Sequence, residues 1–294
     1  MSLHRQIAFL LGHEAFQESP AKYTGRLIAW RARCLLRRSA VVSIPELGVQ
    51  LFVPPIWRGS AKMIYVFRAA CERELPLVQR LLSTGDVFID VGANYGAYTM
   101  AASRAVGPSG RVLSFEPATQ SYAVLQRNVQ IGRCTNVTAL RLGLSSRQQH
   151  MVLRLRDDSS TNTIAHAPRP GEAFERIVTS TLDAELERQA IQQVHMVKID
   201  VEGAEELVLQ GASALLRRSR PALLFEFNPE AATALGLTSD GAWRLLRDHG
   251  YRFFQLDARH GIDEIRSAPA GGNVLAIHRS RDALAVTRCS PRHS

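Results

Sequence analysis

From Asp86 onward, short apolar runs bounded by glycines alternate with stretches of helical periodicity. That alternation leaves a chain few ways to fold. Asp86–Val91, Val112–Phe115, Val137–Leu142, Val194–Ile199 and Ala222–Phe227 read as strands. Tyr98–Val106, Thr119–Ile131, Gly203–Leu216 and Ser239–His249 read as the helices near them. Strands that take turns with helices pair in parallel, because a helix-length crossover is what returns the chain in the same direction. A mostly parallel sheet with helices on both faces is therefore expected. Tyr251–Leu256 and Val274–His278 follow each other without a helix, so the last strand is expected to run antiparallel. Ser145–Arg176 is less regular, with one apolar run, Met151–Leu155, and a polar loop, Asp157–Gly171.

The first of these strands runs into Gly92-Ala-Asn-Tyr-Gly96, and the next ends on Glu116. A strand, a glycine turn and a helix start, followed by a strand-end carboxylate, is how an α/β sheet seats a nucleoside. Phosphate binders crowd glycines there so that backbone N–H groups can approach an anion. This turn has two glycines only, and Asp90 precedes them. A carboxylate at that place repels a pyrophosphate and suits an ammonium or sulfonium. Glu116 is placed to accept hydrogen bonds from ribose hydroxyls. A cationic amino acid joined to a ribose describes S-adenosylmethionine better than NAD, whose G-x-G-x-x-G fingerprint is missing.

A second constellation is Val197-Lys-Ile-Asp-Val-Glu-Gly-Ala-Glu205. Strand alternation puts Lys198, Asp200 and Glu202 on one side. Charges at the end of an apolar strand are costly unless paired or used. The strands carrying Asp90 and Asp200 are expected to flank the crevice where strand order reverses. Asp200 is the first candidate for general base or hydroxyl-orienting group and Glu202 the second, with Lys198 pairing with either. Glu226 and Asn228 end the next strand and His166 lies in the polar loop; all three are candidate acceptor contacts. Glu205 reads as a helix-start residue, and His195 as structural. No metal is expected, although Asp200, Glu202 and Glu226 form a rival Mg²⁺ set.

Composition narrows the class of protein. The 294 residues are 46% hydrophobic and 21% charged, which suits one large α/β domain with an added segment. No apolar run approaches a membrane span, and Ile7–Leu11 gives way to Gly12-His-Glu14 without a cleavage site. Cys34, Cys71, Cys134 and Cys289 are scattered, as expected of reduced cytoplasmic thiols. The net charge is +9, and Lys22 to Arg38 holds six basic residues and no acidic one. Arg26, Arg33 and Arg37 share a helical face beside Trp30; Ile28, Leu35 and Leu36 face the other way. A solvated face packed beside the main domain is the favoured reading, and a peripheral contact with an anionic membrane the sharper one. The division expected is 1–59, an extension of two helices and a hairpin (Ala40–Ile44, Val49–Pro54); 60–280, the α/β domain; and 281–294, a basic tail.

With these residues in place, the stretch from Glu72 to Leu256 resembles the FkbM family of S-adenosylmethionine-dependent methyltransferases. The motifs that carry the likeness are Gly85-Asp-Val-Phe-Ile-Asp-Val-Gly-Ala-Asn-Tyr-Gly-Ala-Tyr-Thr99, Phe115-Glu-Pro117, Thr181-Leu-Asp183 and Val197-Lys-Ile-Asp-Val-Glu-Gly-Ala-Glu205. The resemblance implies a class I methyltransferase fold, with a seven-stranded Rossmann-like sheet of six parallel strands and one antiparallel. It implies O-methylation of a saccharide, glycan or natural-product hydroxyl. It places Asp90, Gly92, Ala93, Asn94 and Gly96 around the methionine part of the cofactor, with Tyr98 and Thr99 at the helix start. Glu116, with Pro117, would hold the ribose, and Lys198, Asp200 and Glu202 would border the reaction centre. Similar enzymes often carry an acidic residue for the adenine after the third strand; here Ser145 and Ser146 stand there, and Ser145 is the candidate. The segment to about Arg58 lies outside the resemblance and is a candidate for covering the acceptor or forming a homodimer. The alternatives are an RNA methyltransferase, for which the chain offers no aromatic stacking platform, and a non-catalytic scaffold docking on an anionic surface.

Overall fold

The computed structural model describes residues 12–165, 167–168, 170–257 and 261–281. Ile7–Leu11, His166, Cys289 and the basic tail after Arg281 lie outside the described residues.

Among the described residues, the first elements are the helices α1 (Glu14–Glu18) and α2 (Pro20–Leu35), and a hairpin of β1 (Ala40–Ile44) and β2 (Val49–Val53) follows. Helices α3 (Gly59–Phe67) and α4 (Leu75–Leu81) lead into the alternating region. That region runs β3 (Val87–Val91), α5 (Ala97–Val106), β4 (Arg111–Phe115), α6 (Thr119–Ile131) and β5 (Val137–Leu140). An inserted segment supplies β6 (Gly143–Leu144), β7 (Gln149–Arg154), β8 (Thr163–Ala165) and β9 (Phe174–Ser180). Then come α7 (Leu182–Arg188), β10 (Met196–Ile199), α8 (Glu205–Gln210), α9 (Ser213–Arg218) and β11 (Ala222–Phe227). The described residues go on through α10 (Pro229–Ala234), α11 (Gly241–Asp248), β12 (Tyr251–Leu256), β13 (Ile262–Ile265) and β14 (Gly272–His278).

The central sheet has the order β13-β12-β14-β11-β10-β3-β4-β5. Strands β11, β10, β3, β4 and β5 pair in parallel, and β14 lies antiparallel between β11 and β12. This is the class I methyltransferase arrangement expected, with six parallel strands and one antiparallel. The expected count of seven is exceeded by one: β13 adds an antiparallel edge to β12. Its sequence, Ile-Asp-Glu-Ile, has too little apolar content to stand out before pairing is known. The stretch read as irregular forms a separate four-stranded sheet, β6-β9-β7-β8. The helix expected over Gly203–Leu216 is two helices, broken where Gly211 passes against the Ser145 backbone.

Alternating side chains of the sheet feed two cores. Phe88, Val112, Met196, Leu224 and Leu275 face one side, in the same core as Tyr23, Trp30, Ile44 and Leu51 of the N-terminal segment. Ile89, Leu113, Val197, Phe225 and Ala276 face the other, with Leu182, Val208, Leu215 and Trp243. The N-terminal segment thus shares a core with the α/β region. Its helix α2 buries Tyr23 and Trp30; the Trp30 indole stacks on Tyr65 at 4.6 Å and donates to the Ile56 carbonyl at 3.2 Å. Arg26 and Arg33 are spent on the Val66 and Ser39 carbonyls. The aliphatic residues are the ones left outside, with Ile28 65%, Leu35 70% and Leu36 64% exposed. No helix among the described residues is long and apolar enough to cross a membrane.

Candidate functional site

Strand order reverses between β3 and β10, and the crevice of an open α/β sheet lies at the carboxyl ends of such strands. A cavity opens there. Its floor is the turn after β3. Gly92 and Gly96 are left-handed, with φ of 79° and 85°, and a Cβ on Gly92 would strike the carbonyl oxygen of Asp200. The turn can lie this close to β10 because that atom is absent. The Gly92 and Ala93 N–H groups both donate to the Phe115 carbonyl at 3.0 Å, which clamps the turn to the end of β4.

Glu116 follows directly. Its Oε2 accepts from the Asn94 N–H and its Oε1 from the Ala118 N–H, each at 2.8 Å. Burial pushes the carboxyl up to about 7, against the pull of those two donors. Each oxygen keeps acceptor capacity toward the cavity, which is what a pair of vicinal hydroxyls requires.

The roof comes from segments that sequence patterning did not connect with the site. Helix α3 supplies Ser60, Met63 and Ile64, and the inserted sheet with its loop supplies Leu153, Ser159, Ser160, Asn162 and Ile164. Asn94, itself at a positive φ of 48°, joins the two. Its Nδ2 donates to Ser60 Oγ at 2.9 Å, and its Oδ1 accepts from Ser159 Oγ at 3.3 Å. Outside, Arg58 and Asp157 form an ion pair at 2.6 Å.

The other end of the cavity is acidic. Strand β10 ends at Ile199, so the extended alternation stops short of Glu202. The following turn brings Glu202 in at a positive φ of 53°, a strained conformation for a side chain of this size. Asp200, Glu202 and Glu226 have ligand oxygens within 4.8 Å of one another. Lys198, 1% exposed, donates to Asp200 Oδ2 at 3.0 Å, and its ammonium is held above the usual lysine range by its acidic neighbours despite burial. Burial, then Glu226 and Asp200, pushes Glu202 up to about 8; burial and Asp200 push Glu226 up to about 7. Glu72, just before α4, also lines this end and is pushed up to about 8 by burial and Asp200. Nothing in Cys71-Glu-Arg-Glu74 separates it from an ordinary charged approach to a helix.

Of the residues expected to bind cofactor, Gly92, Ala93, Asn94, Tyr98, Glu116 and Pro117 line the cavity. Asp90 does not. It is 1% exposed, accepts from Thr99 Oγ1 at 2.6 Å, and is the register neighbour of Lys198 on β10. Burial raises it to about 6, and the cation beside it is Lys198 rather than a ligand. Thr99 is equally buried, bridging Asp90 and Ser114, while Gly96 serves α5 as its N-terminal cap. Ser145 is fully buried at the start of the inserted sheet, and the cavity wall after β5 is Leu142, Gly143 and Leu144 instead. Asn228 caps α10 by accepting from the Ala231 N–H at 3.1 Å and is not on the cavity wall. Glu226 reaches the acid cluster from β11, also without lining the wall. Lys198 sits behind Asp200, which with Glu202 does line the cavity. Glu205 accepts from the Val201 and Gly203 N–H groups at 3.2 Å, as a helix-start residue would. His195 Nδ1 accepts from the Val87 N–H at 2.9 Å, a structural role.

Fold and site define an α/β protein with a cavity at its strand-order reversal, lined by Glu116 and by Asp200 and Glu202 of an acidic cluster. The sequence matches the family described as Methyltransferase FkbM domain over residues 90–253, and the chain belongs to that family. It is 28% identical over 160 residues to methyltransferase sdnD of Sordaria araneosa, covering 44% of this chain and 61% of that protein. It is 25% identical over 142 residues to methyltransferase 1 of Beauveria bassiana, covering 42% and 57% respectively. The chain thus spans about six-tenths of the length of the curated relatives it matches. A solved FkbM methyltransferase from Methylobacillus flagellatus superposes over 86% of this chain and 59% of its own, at 13% identity and a TM-score of 0.42. The cofactor of the family is S-adenosylmethionine, and the cavity fits it. Glu116 has open acceptor capacity for ribose, and the opposite end carries more carboxylates than the one ammonium of Lys198 can balance.

Proposed function

We propose that this protein is an O-methyltransferase that methylates a hydroxyl of a saccharide, glycan or natural-product acceptor. The observation that carries the reading is the cluster of Asp200, Glu202 and Glu226, the first two of which line the same cavity as Glu116. When bound, S-adenosylmethionine supplies an electrophilic methyl group. Glu116 binds the ribose, and Leu142 and Leu144 offer apolar wall for a base. Asp200, held on one oxygen by Lys198, accepts a hydrogen bond from the acceptor hydroxyl on the other and orients it. Glu202, with its affinity for protons raised to about 8, takes the hydroxyl proton. The sequence placed Asp200 first for that transfer; the Lys198 contact favours the exchange of roles. The same contact favours proton chemistry over a divalent ion in the cluster, because the ammonium already balances one carboxylate. The roof of Ser60, Met63 and Asn162 keeps bulk water from the bound groups.

The test uses labelled S-adenosylmethionine with fractionated cell extract and mass spectrometry of whatever gains mass. Label on a hydroxyl supports the proposal; label on nitrogen or carbon only, or no binding of S-adenosylmethionine, defeats it. Activity that survives a chelator keeps the proton route, whereas its loss would assign a metal to Asp200, Glu202 and Glu226.

One further feature favours work at an anionic membrane surface, within a cytoplasmic setting. Helix α2 leaves Ile28, Leu35 and Leu36 exposed, with Arg31, Arg37 and Arg38 exposed beside them and no acidic residue between Lys22 and Arg38. Aliphatic side chains flanked by guanidinium groups suit lipid headgroups and acyl chains. Nucleic acid is less favoured, since Trp30 is fully buried and cannot stack on a base. A homodimer through this face would set like charges against each other.

A further inference from the structure

Two polar groups on the cavity wall have no hydrogen-bond partner among the described residues. The Tyr98 hydroxyl is buried without a hydrogen bond, on a residue only 8% exposed. No hydrogen bond or ion pair among the described residues engages the Glu72 carboxyl, and burial, then the charge of Asp200, pushes it up to about 8 against the pull of Lys198. A buried hydroxyl left unsatisfied, as at Tyr98, is costly in a folded protein and calls for an explanation; the half-buried Glu72 carboxyl faces the same cavity. Glu72 acts on Tyr98 more strongly than any other charge, and Asp200 acts on both. The charges felt at Glu116 are different ones, Asp90 and Glu175, so the two carboxylates serve different parts of one cavity.

The geometry points to Glu72 and Tyr98 as the receptor for the ammonium group at the amino-acid end of the donor, and this rests on the function proposed above. Glu72 accepts from the ammonium as a charge-assisted pair, and the Tyr98 oxygen offers a second acceptor. A metal ion is the poorer occupant. The carboxylates close enough to share one are Asp200, Glu202 and Glu226, and Glu72 is not among them. A neutral hydroxyl is a weak ligand for a hard cation but a good acceptor for an N–H. Helix α5, which begins at Ala97, and α4, which begins at Leu75, hold the two groups from opposite sides of the turn in the chain. Sequence reading placed Tyr98 near the cofactor and gave Glu72 no part.

Isothermal titration of the full chain with three probes tests this. S-adenosylhomocysteine carries the ammonium; its deaminated analogue keeps the carboxylate only; 5′-methylthioadenosine lacks both. Glu72→Gln should weaken S-adenosylhomocysteine by about 10- to 100-fold and leave the other two unchanged. Tyr98→Phe should weaken the same probe by about 3- to 10-fold, again selectively. Retained affinity for 5′-methylthioadenosine demonstrates that each variant is folded. Equal affinity of wild type and Glu72→Gln for S-adenosylhomocysteine overturns the assignment, as does an equal loss for all three probes, which would mark Glu72 as structural. Wild-type protein that binds none of the three overturns the donor itself.

Discussion

Glu116 carries one backbone N–H on each carboxylate oxygen, so it is rigid before any ligand arrives. Truncation removes the ribose contacts proposed for it and strands the Asn94 and Ala118 donors. Glu116→Ala should therefore lower affinity for S-adenosylhomocysteine by at least about 50-fold in titration calorimetry; an unchanged affinity would put the ribose elsewhere. Glu202 gives a second prediction. Burial, Glu226 and Asp200 raise it to about 8, and a base must be ionised to act. Turnover should climb as pH rises through about 8 and level off above, and Glu202→Gln should lose about 10²- to 10⁴-fold with that limb removed. A rising limb that persists in the variant would assign the base to another group. At this scale the sequence was legible for position where a residue is read from its own strand end: Glu116 and Asp200 both line the cavity. It was misleading for Asp90, whose side chain lies under α5 against Thr99 and Lys198. Which neighbour covers a strand residue is a tertiary fact that the spacing in β3 does not contain.

Helix α2 shows the same limit one level up. Helical spacing correctly separated Arg26 and Arg33 from Ile28 and Leu35, yet the side packed against the protein is the one with the arginines. Tyr23 and Trp30 decide the matter, because two aromatic rings bury more area than the aliphatic residues opposite. The exposed face predicts behaviour that can be measured: vesicles with anionic lipid should pull the protein down at physiological salt, and neutral vesicles should not. Leu35→Ser with Leu36→Ser should reduce the bound fraction several-fold without lowering thermal stability, since both side chains are already in water. No difference between the two kinds of vesicle would leave α2 as a solvated helix. The strands of the central sheet were legible because each is an apolar run closed by turn residues. The inserted sheet was not, because β6 has two residues and β8 three, too short for a period to register.

Across the whole molecule, carboxyl groups held above their ordinary range set the response to pH. Glu72 and Glu202 stand near 8, Glu116, Glu205 and Glu226 near 7, and Asp90 near 6, all raised chiefly by burial. Between the ordinary carboxylate range and about pH 8 the folded chain binds more protons at these sites than the unfolded one, so stability falls as pH rises. Ligand-free protein should melt at least about 5 °C lower at pH 8 than at pH 5 in a thermal scan, and S-adenosylhomocysteine should recover more at pH 8; a midpoint that rises with pH would contradict the burial of these groups. The roof has a different consequence. Asn94 ties together Ser60, 34 residues before it, and Ser159, 65 residues after it. Contacts that join such distant parts of a chain form only after large loops have closed, and their amides tend to open first. The roof is thus a seam between separate parts of the chain, and hydrogen exchange at α3 and at residues 157–162 should run ahead of exchange in the central sheet.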